Sequence, residues 1–192
     1  MKNRSCIIIT AAGLSTRNPP NKLLKIIDKE TVIKKTVDVF MNLPLDIYVI
    51  TGHEKEKVCE ALKSYRKTIK IVENKDYKSG LASSIVSGLK QAGESYEHYA
   101  ICNGDKPFIN RNTVEYLLEK SREEKNGILI PRFDNIPGHP VFFSKKYYED
   151  LVKMEGDTGG KQILEHYKKD ICYCVVDDKG VVLDMDKYLE KK

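Results

Sequence analysis

The stretch CIIITAAGLSTRNPPNKLL, Cys6 to Leu24, decides how the rest of the chain is read. It begins as an unbroken apolar run centred on Ile7, Ile8 and Ile9. A strand buried on one face alternates apolar with polar residues, whereas a strand covered on both faces does not. The run therefore predicts a central strand. It opens into small residues, Ala11, Ala12 and Gly13, followed by Ser15, Arg17 and Lys22. Small residues let backbone N–H groups approach an anion closely, and a nest of such groups favours phosphate. Arg17 can add a forked contact to phosphate oxygens, and Lys22 a point charge. A plain strand-to-helix turn with surface cations would use the same residues, and the loop alone does not separate the two readings. It is neither G-x-x-x-x-G-K-[ST] nor G-x-G-x-x-G.

Outward from this stretch, short runs rich in Ile, Val and Tyr predict strands near 46–51, 69–73 and 97–102. Further strands are expected near 127–131, 139–143 and 171–176. Helical periodicity predicts helices near 31–42, 54–66, 80–92 and 110–125, the last capped by Asn110 or Asn112. Strands alternating with helices imply right-handed crossovers and an α/β fold: a mostly parallel central sheet with helices on both faces. In such sheets ligands bind beyond the carboxyl ends of the strands. Segment 131–160, rich in Pro and Gly, is expected to leave the sheet on the substrate side, or else to form ordinary surface loops.

The 192 residues suit a single domain. Apolar content of 41% and charged content of 32% fit a folded protein rather than a disordered one. No apolar run approaches the ~20 residues of a membrane span, and the N-terminus is too short in apolar residues for a signal peptide. Five cysteines, with no C-x-x-C pair, read as reduced thiols in the cytoplasm. His53 and Glu54 do not form H-E-x-x-H, so zinc is not expected. The net charge of +5 is spread along the chain without a basic stripe, which suits a small anionic substrate better than nucleic acid.

Four other stretches carry chemistry. YAICNGDKPFI sets Asp105 just past a strand, with Gly104 permitting a sharp bend. One carboxylate held beside phosphates is what Mg²⁺ takes, although G-D and D-x-P also make ordinary turns. VVLDMDKYLEK offers Asp184 and Asp186 late in the chain. SGLASSIVSGL enters a helix with Gly80, Leu81, Ser83 and Ser84 at its start, where free N–H groups can read polar edges or simply be capped. IPGHPVFF and EGDTGGKQIL supply His139, Asp157, Gly159, Gly160 and Lys161 in the irregular segment.

Taken together, these segments resemble the molybdenum cofactor cytidylyltransferase family, within the MobA-like nucleotidyltransferases. The first loop is similar to the signature LAAG-x-S-x-R-M-G-x-x-K, ending N-K-L-L; G-D-K-P is similar to G-D-Q-P; and G-H-P-V-F-F is similar to G-H-P-V-x-F. The resemblance runs from Cys6 to about Leu189 and implies a three-layer, Rossmann-like nucleotidyltransferase fold. It implies a nucleotide-binding half over about 1–108 and an acceptor-binding part over about 109–192. It implies that Ala11, Ala12, Gly13, Ser15, Arg17 and Lys22 wrap the triphosphate. Gly80, Leu81, Ser83 and Ser84 are implied to lie near base and ribose, with Gly104 also on the nucleotide side. Asp105 and Asp186 are implied to hold Mg²⁺. His139, Asp157, Gly159 and Lys161 are implied to face the acceptor. The implied reaction moves CMP from CTP to molybdopterin and releases pyrophosphate, with Arg17, Lys22 and Asp105 carrying the chemistry and a molybdenum hydroxylase as recipient.

The family's Met-Gly after the arginine is here Asn18-Pro19, followed by Pro20, and proline offers no N–H. Two other readings stand beside the cytidylyltransferase. One is the same chemistry on a sugar or alditol phosphate. The other is a non-catalytic carrier that holds a nucleotide-bearing cofactor and hands it on, which the prolines favour.

Overall fold

The computed structural model describes residues 4–15, 21–123, 127–157 and 159–190. Strand β1, Ser5–Ala11, is buried along its whole length. Its side chains divide by parity between two apolar clusters: Ile7, Ile9 and Ala11 in one, Cys6 and Ile8 in the other. This is the arrangement the isoleucine run requires.

The chain continues through a small hairpin, β2 (Ile26–Ile27) and β3 (Glu30–Thr31), into helix α1 (Val32–Phe40). Strand β4 (Asp46–Thr51), helix α2 (Lys55–Ala61), strand β5 (Lys70–Glu73) and helix α3 (Leu81–Ala92) follow. Then come β6 (His98–Asn103), α4 (Arg111–Glu123), β7 (Ile128–Phe133), β8 (Ile136–Pro137) and β9 (Val141–Ser144). The last elements are α5 (Tyr148–Leu151), α6 (Lys161–His166), β10 (Ile171–Val175) and α7 (Met185–Leu189). Helix α1 is capped by Thr31, whose hydroxyl accepts from Lys34 N–H at 3.3 Å. Of the two candidate caps for α4, Asn110 serves: its side chain accepts from Asn112 N–H at 2.9 Å.

The main sheet runs β10-β7-β9-β6-β1-β4-β5, with β8 paired to β7. β1 is parallel to both β4 and β6, β4 to β5, and β7 to β10. β9 is antiparallel to β6 and β7. From α1 the alternation of strands and helices holds through β7 and is then broken: β7 reaches β9 through the short β8 excursion rather than through a helix. Reversal brings the start of β9, not its end, to the carboxyl edge of the parallel strands.

Helices cover both faces. Val32, Ile33, Val37 and Phe40 of α1 and Val114, Leu117 and Leu118 of α4 pack on one side with Met185 of α7. Ala82, Ile85 and Leu89 of α3 pack on the other with Tyr148, Leu151 and Ile163. From β1 the chain winds outward through β4 and β5, then returns to the other side of β1 at β6. The strand order therefore reverses between β1 and β6, and a crevice is expected beyond their carboxyl ends.

Candidate functional site

A cleft of about 530 Å³ lies at that point. It is lined by Ala12, Gly13, Leu14 and Ser15 from the loop after β1, and by Asn103, Gly104 and Asp105 from the end of β6. The loop after β5 contributes Tyr77, Lys78, Ser79 and Gly80, and α3 contributes Leu81 and Ser84. Thr10, Lys22, Leu23, Asp157 and Asp186 also line it.

The charged centre is a triad assembled from three distant segments. Lys22 Nζ lies 2.6 Å from Asp105 Oδ2 and 2.9 Å from Asp186 Oδ2. Each participant is positioned by backbone contacts. Lys22 opens a short turn whose cap is Asn21, and Asn21 Oδ1 accepts from Leu23 N–H at 3.1 Å. The Ser15 hydroxyl donates to Asn21 Oδ1 at 3.2 Å and accepts from Lys22 N–H at 3.3 Å, which ties the two ends of the loop together. Asp105 follows Gly104, whose N–H donates to Thr10 O at 2.9 Å and whose carbonyl accepts from the Thr36 hydroxyl at 2.9 Å. Asp186 sits in the first turn of α7, capped by Asp184 through Lys187 N–H at 2.9 Å. Met185 N–H donates to the Asp105 carbonyl at 3.2 Å, so α7 is docked directly on the Asp105 loop.

Burial alone would lower the Lys22 pKa. The Asp105 charge and the hydrogen bonds that the ammonium donates to both carboxylates outweigh it and hold the ammonium above its usual range. Lys22 thus stays charged and occupies the place between two carboxylates. The donor set suits a hard divalent cation, which takes one or two protein carboxylates and fills its remaining positions with substrate oxygens and water. Asp105 Oδ1 supports this fit, being buried with no hydrogen-bond partner among the described residues. Among those residues no group of three or more His, Cys, Asp and Glu side chains forms a closed metal cage.

Gly13 marks where a ligand could approach the backbone: a Cβ built there meets no atom of the described residues within 4 Å beyond its chain neighbours, and the residue lines the cleft. Ala11, by contrast, is the buried end of β1 and belongs to the core. Arg17, like Asn18-Pro19-Pro20, lies outside the described residues.

The start of α3 differs from an open helix terminus. Leu81 N–H donates to Asp157 Oδ1 at 3.0 Å, and Ala82 N–H to the Gly156 carbonyl at 3.2 Å. Asp157 is therefore a cap supplied from 76 residues away. Gly80 permits this approach. Its φ of +115° is left-handed, and a Cβ there would lie 2.6 Å from the Gly156 carbonyl oxygen. The two serines are held by Asn74, whose amide donates to Ser83 Oγ at 2.8 Å and Ser84 Oγ at 3.1 Å. Ser84 lines the cleft, while Ser83 turns its hydroxyl to the Gly80 and Asp76 carbonyls.

A second cavity of about 270 Å³ adjoins the first and shares Leu81 and Asn103 with it. His139, Gly160, Lys161 and Leu164 line it, together with apolar residues of β6, β7 and β9. The reversed β9 is what brings His139 here. Burial, followed by the nearby Lys106 charge, pushes the His139 pKa down to about 4, so the imidazole is neutral near pH 7. Its Nδ1 lies 3.4 Å from the Ile101 carbonyl. Gly159 lies beside the cavity rather than in its lining, and a Cβ there would meet Leu81 Cδ2 at 2.8 Å.

Two features, Asn103 and Lys78, went unread in the sequence, and a third, Lys106, replaces the family's glutamine at a position that could add a cation near the phosphates or face solvent. Asn103 stands between the cavities and accepts from the Thr10 hydroxyl at 3.2 Å. Lys78 adds a second cation to the large cleft. Lys106 is buried, with Asp184 Oδ2 3.7 Å away.

This geometry can be set beside known proteins. The model of the MobA-like NTP transferase domain matches residues 7–171. The molybdenum cofactor cytidylyltransferase of Escherichia coli K12 is 26% identical over 93% of this chain and 89% of its own. A nucleotidyl transferase from Methanothermobacter superposes with a TM-score of 0.80 at 19% identity, covering 98% of this chain and 96% of its own. A Mycobacterium tuberculosis protein solved in complex with manganese superposes with a TM-score of 0.79 at 20% identity, covering 97% of both chains. With the crevice at the strand reversal, the Lys22–Asp105–Asp186 centre and a family match that spans most of its length, this chain belongs to the MobA-like NTP transferase domain family and is a nucleotidyltransferase.

Proposed function

We propose that the protein is a Mg²⁺-dependent cytidylyltransferase that moves CMP from CTP onto the phosphate of molybdopterin. The observation that carries this reading is the convergence of Lys22, Asp105 and Asp186 in the switch-point cleft. The likeness to a molybdenum cofactor cytidylyltransferase, 26% identity over 93% of this chain, supports the choice of nucleotide and acceptor. So does Ala12 at the second position of A-A-G, since the guanylyl branch of the family tends to have glycine there.

In this reading an acceptor phosphate oxygen bonds to the α-phosphorus of CTP as the bond to the β-phosphate oxygen breaks, and pyrophosphate leaves. No covalent enzyme intermediate is needed; catalysis is alignment and charge stabilisation. Asp105 and Asp186 would hold Mg²⁺, which supplies charge neutralisation on the triphosphate. Lys22 turns from the carboxylates to the pyrophosphate leaving group, where Lys78 adds a second positive charge. The backbone beside Gly13 lies against the phosphates, with Arg17 contributing from the same loop. The Gly80–Ser84 segment borders the base and ribose. His139, neutral at pH 7, orients the acceptor by hydrogen bonding, and Lys161 attracts its phosphate. The product's recipient would be a molybdenum hydroxylase.

The test is pyrophosphate release from CTP, GTP, ATP, UTP and dTTP, each with molybdopterin and with a panel of sugar and alditol phosphates. Turnover with CTP and molybdopterin alone is the expected result. Turnover with GTP, or with a sugar phosphate, would overturn the assignment while keeping the chemistry. Nucleotide-dependent thermal stabilisation, ~2.7 kcal/mol at 100 times Kd, without turnover of any acceptor would favour the carrier.

A further inference from the structure

We propose that the free edge of β10 is the interface between two copies of this chain, joined antiparallel about a two-fold axis at Tyr173. β10 closes one end of the sheet, and among the described residues no strand pairs with its outer side. Its sequence is Ile171-Cys172-Tyr173-Cys174-Val175, with no charge, proline or bulge to blunt it. Edges left in this condition are templates for pairing. Tyr173 is 45% exposed and Val175 78% exposed, the latter the highest value among the large exposed apolar residues.

The backbone fixes which groups are free. Val176 N–H donates to the Arg132 carbonyl of β7 at 3.0 Å, so the even-numbered residues of this strand turn their backbone groups inward. Alternation turns those of Ile171, Tyr173 and Val175 outward. A symmetric antiparallel pair needs hydrogen-bonded positions that face each other, and a centre at Tyr173 provides them. Tyr173 meets Tyr173 of the second copy, and Ile171 meets Val175 twice. That gives about six ladder hydrogen bonds, with each exposed Val175 covered by an isoleucine. Moving the centre by one residue keeps outward groups opposed but loses one of these pairs.

The flanking charges agree with antiparallel pairing. Lys169 and Asp177 lie four residues before and after Tyr173, and both are exposed. Lys169 sits in the turn that precedes β10 and Asp177 just past its end, so about the proposed axis the lysine end of each copy lies at the aspartate end of the other. A parallel arrangement would instead set lysine against lysine and aspartate against aspartate. This self-complementarity is what identifies the occupant as a second copy rather than an unrelated strand. Pairing here would leave both clefts open, because β10 lies three strand spacings, about 14 Å, from β6.

The experiment is sedimentation velocity across a dilution series, on wild type, Lys169→Glu, Asp177→Lys and the double exchange. A dimer is expected for wild type. Each single reversal should weaken association ~10-fold, because symmetry counts every like-charge pair twice, and the double exchange should restore it. Tyr173→Pro should abolish the dimer, removing an outward N–H and leaving the β7 ladder alone. Circular dichroism and nucleotide-induced stabilisation should match wild type in each charge variant, which keeps the test valid if the proline variant fails to fold. A wild-type monomer at every concentration overturns the proposal and leaves the edge to another protein or to solvent. So does a dimer that neither single reversal weakens.

Discussion

Replacing Lys22 with methionine separates its two roles. In wild type its ammonium contacts two carboxylates at 2.6 and 2.9 Å. The side chains are only 21% exposed for Lys22, 10% for Asp105 and 20% for Asp186, so the group behaves as a largely buried ion cluster and not as a surface pair. Removing one partner from such a cluster leaves charge uncompensated and costs about 3–5 kcal/mol. For a chain of this size that is a fall in Tm of roughly 10 °C. The loss should be reversed by a divalent cation, because methionine leaves the two carboxylates without their resident counter-charge. Without nucleotide, Mn²⁺ should therefore stabilise Lys22→Met more than wild type, in which metal and ammonium compete. The assay is a thermal-unfolding titration with Mn²⁺ on both proteins, followed by turnover at saturating metal. Turnover should still fall ~10²–10³-fold, since the cation for the leaving group is gone. A variant that loses less than 1 kcal/mol, or one that Mn²⁺ stabilises less than wild type, would refute the reasoning.

Further outcomes follow from other parts of the site. His139 has a folded pKa of about 4 against about 6.5 unfolded, so its contribution to stability is whole above pH 6.5 and is lost as pH falls toward 4. Its ring borders a cavity, which limits the loss to at most about 3 kcal/mol; His139→Gln should flatten the pH profile of the unfolding free energy over that window. Asp157→Ala should cost about 1 kcal/mol by uncapping α3, read as a lower denaturant midpoint with unchanged slope. Gly13→Ala should leave stability within about 0.5 kcal/mol, since its Cβ meets none of the described residues, yet raise the Kd for triphosphate measured by calorimetry. Equal affinity in that variant would remove the backbone beside Gly13 from the nucleotide site.

Much of the architecture was legible because it depends on local patterns. The isoleucines of β1 announced a strand covered on both faces, and Asp46–Thr51 forms the strand expected from its β-branched run. The crevice was legible too, because a parallel sheet fixes which loops meet. The β2–β3 hairpin was not, because its turn puts Asp28 and Lys29 in left-handed conformations, for which lysine gives no signal. Nor was the reversal of β9, which is settled by its neighbours β6 and β7 and not by its own residues. Asp157 lay in a segment expected to serve the acceptor, but pairing the helix cap with a carboxylate 76 residues away is a tertiary event. Asn103 went unread because its role arises only where the two cavities meet.

The docking of α7 has a consequence for motion. Asp186 reaches Lys22 across 164 residues of sequence, carried by a helix of only five. So short a helix has little stability of its own and persists through its contacts: Met185 buried in the core, the Tyr188 ring tilted against Phe108 with centroids 4.8 Å apart, and the hydrogen bond to the Asp105 carbonyl. It is accordingly the segment expected to open at low free-energy cost while the sheet stays intact. Half of the carboxylate pair thus rides on a unit that can unfasten by itself. Amide exchange at 185–189 should slow when metal and nucleotide bind, while β1 and β6 exchange as before, making the end of the described chain a gauge of whether the cleft is filled.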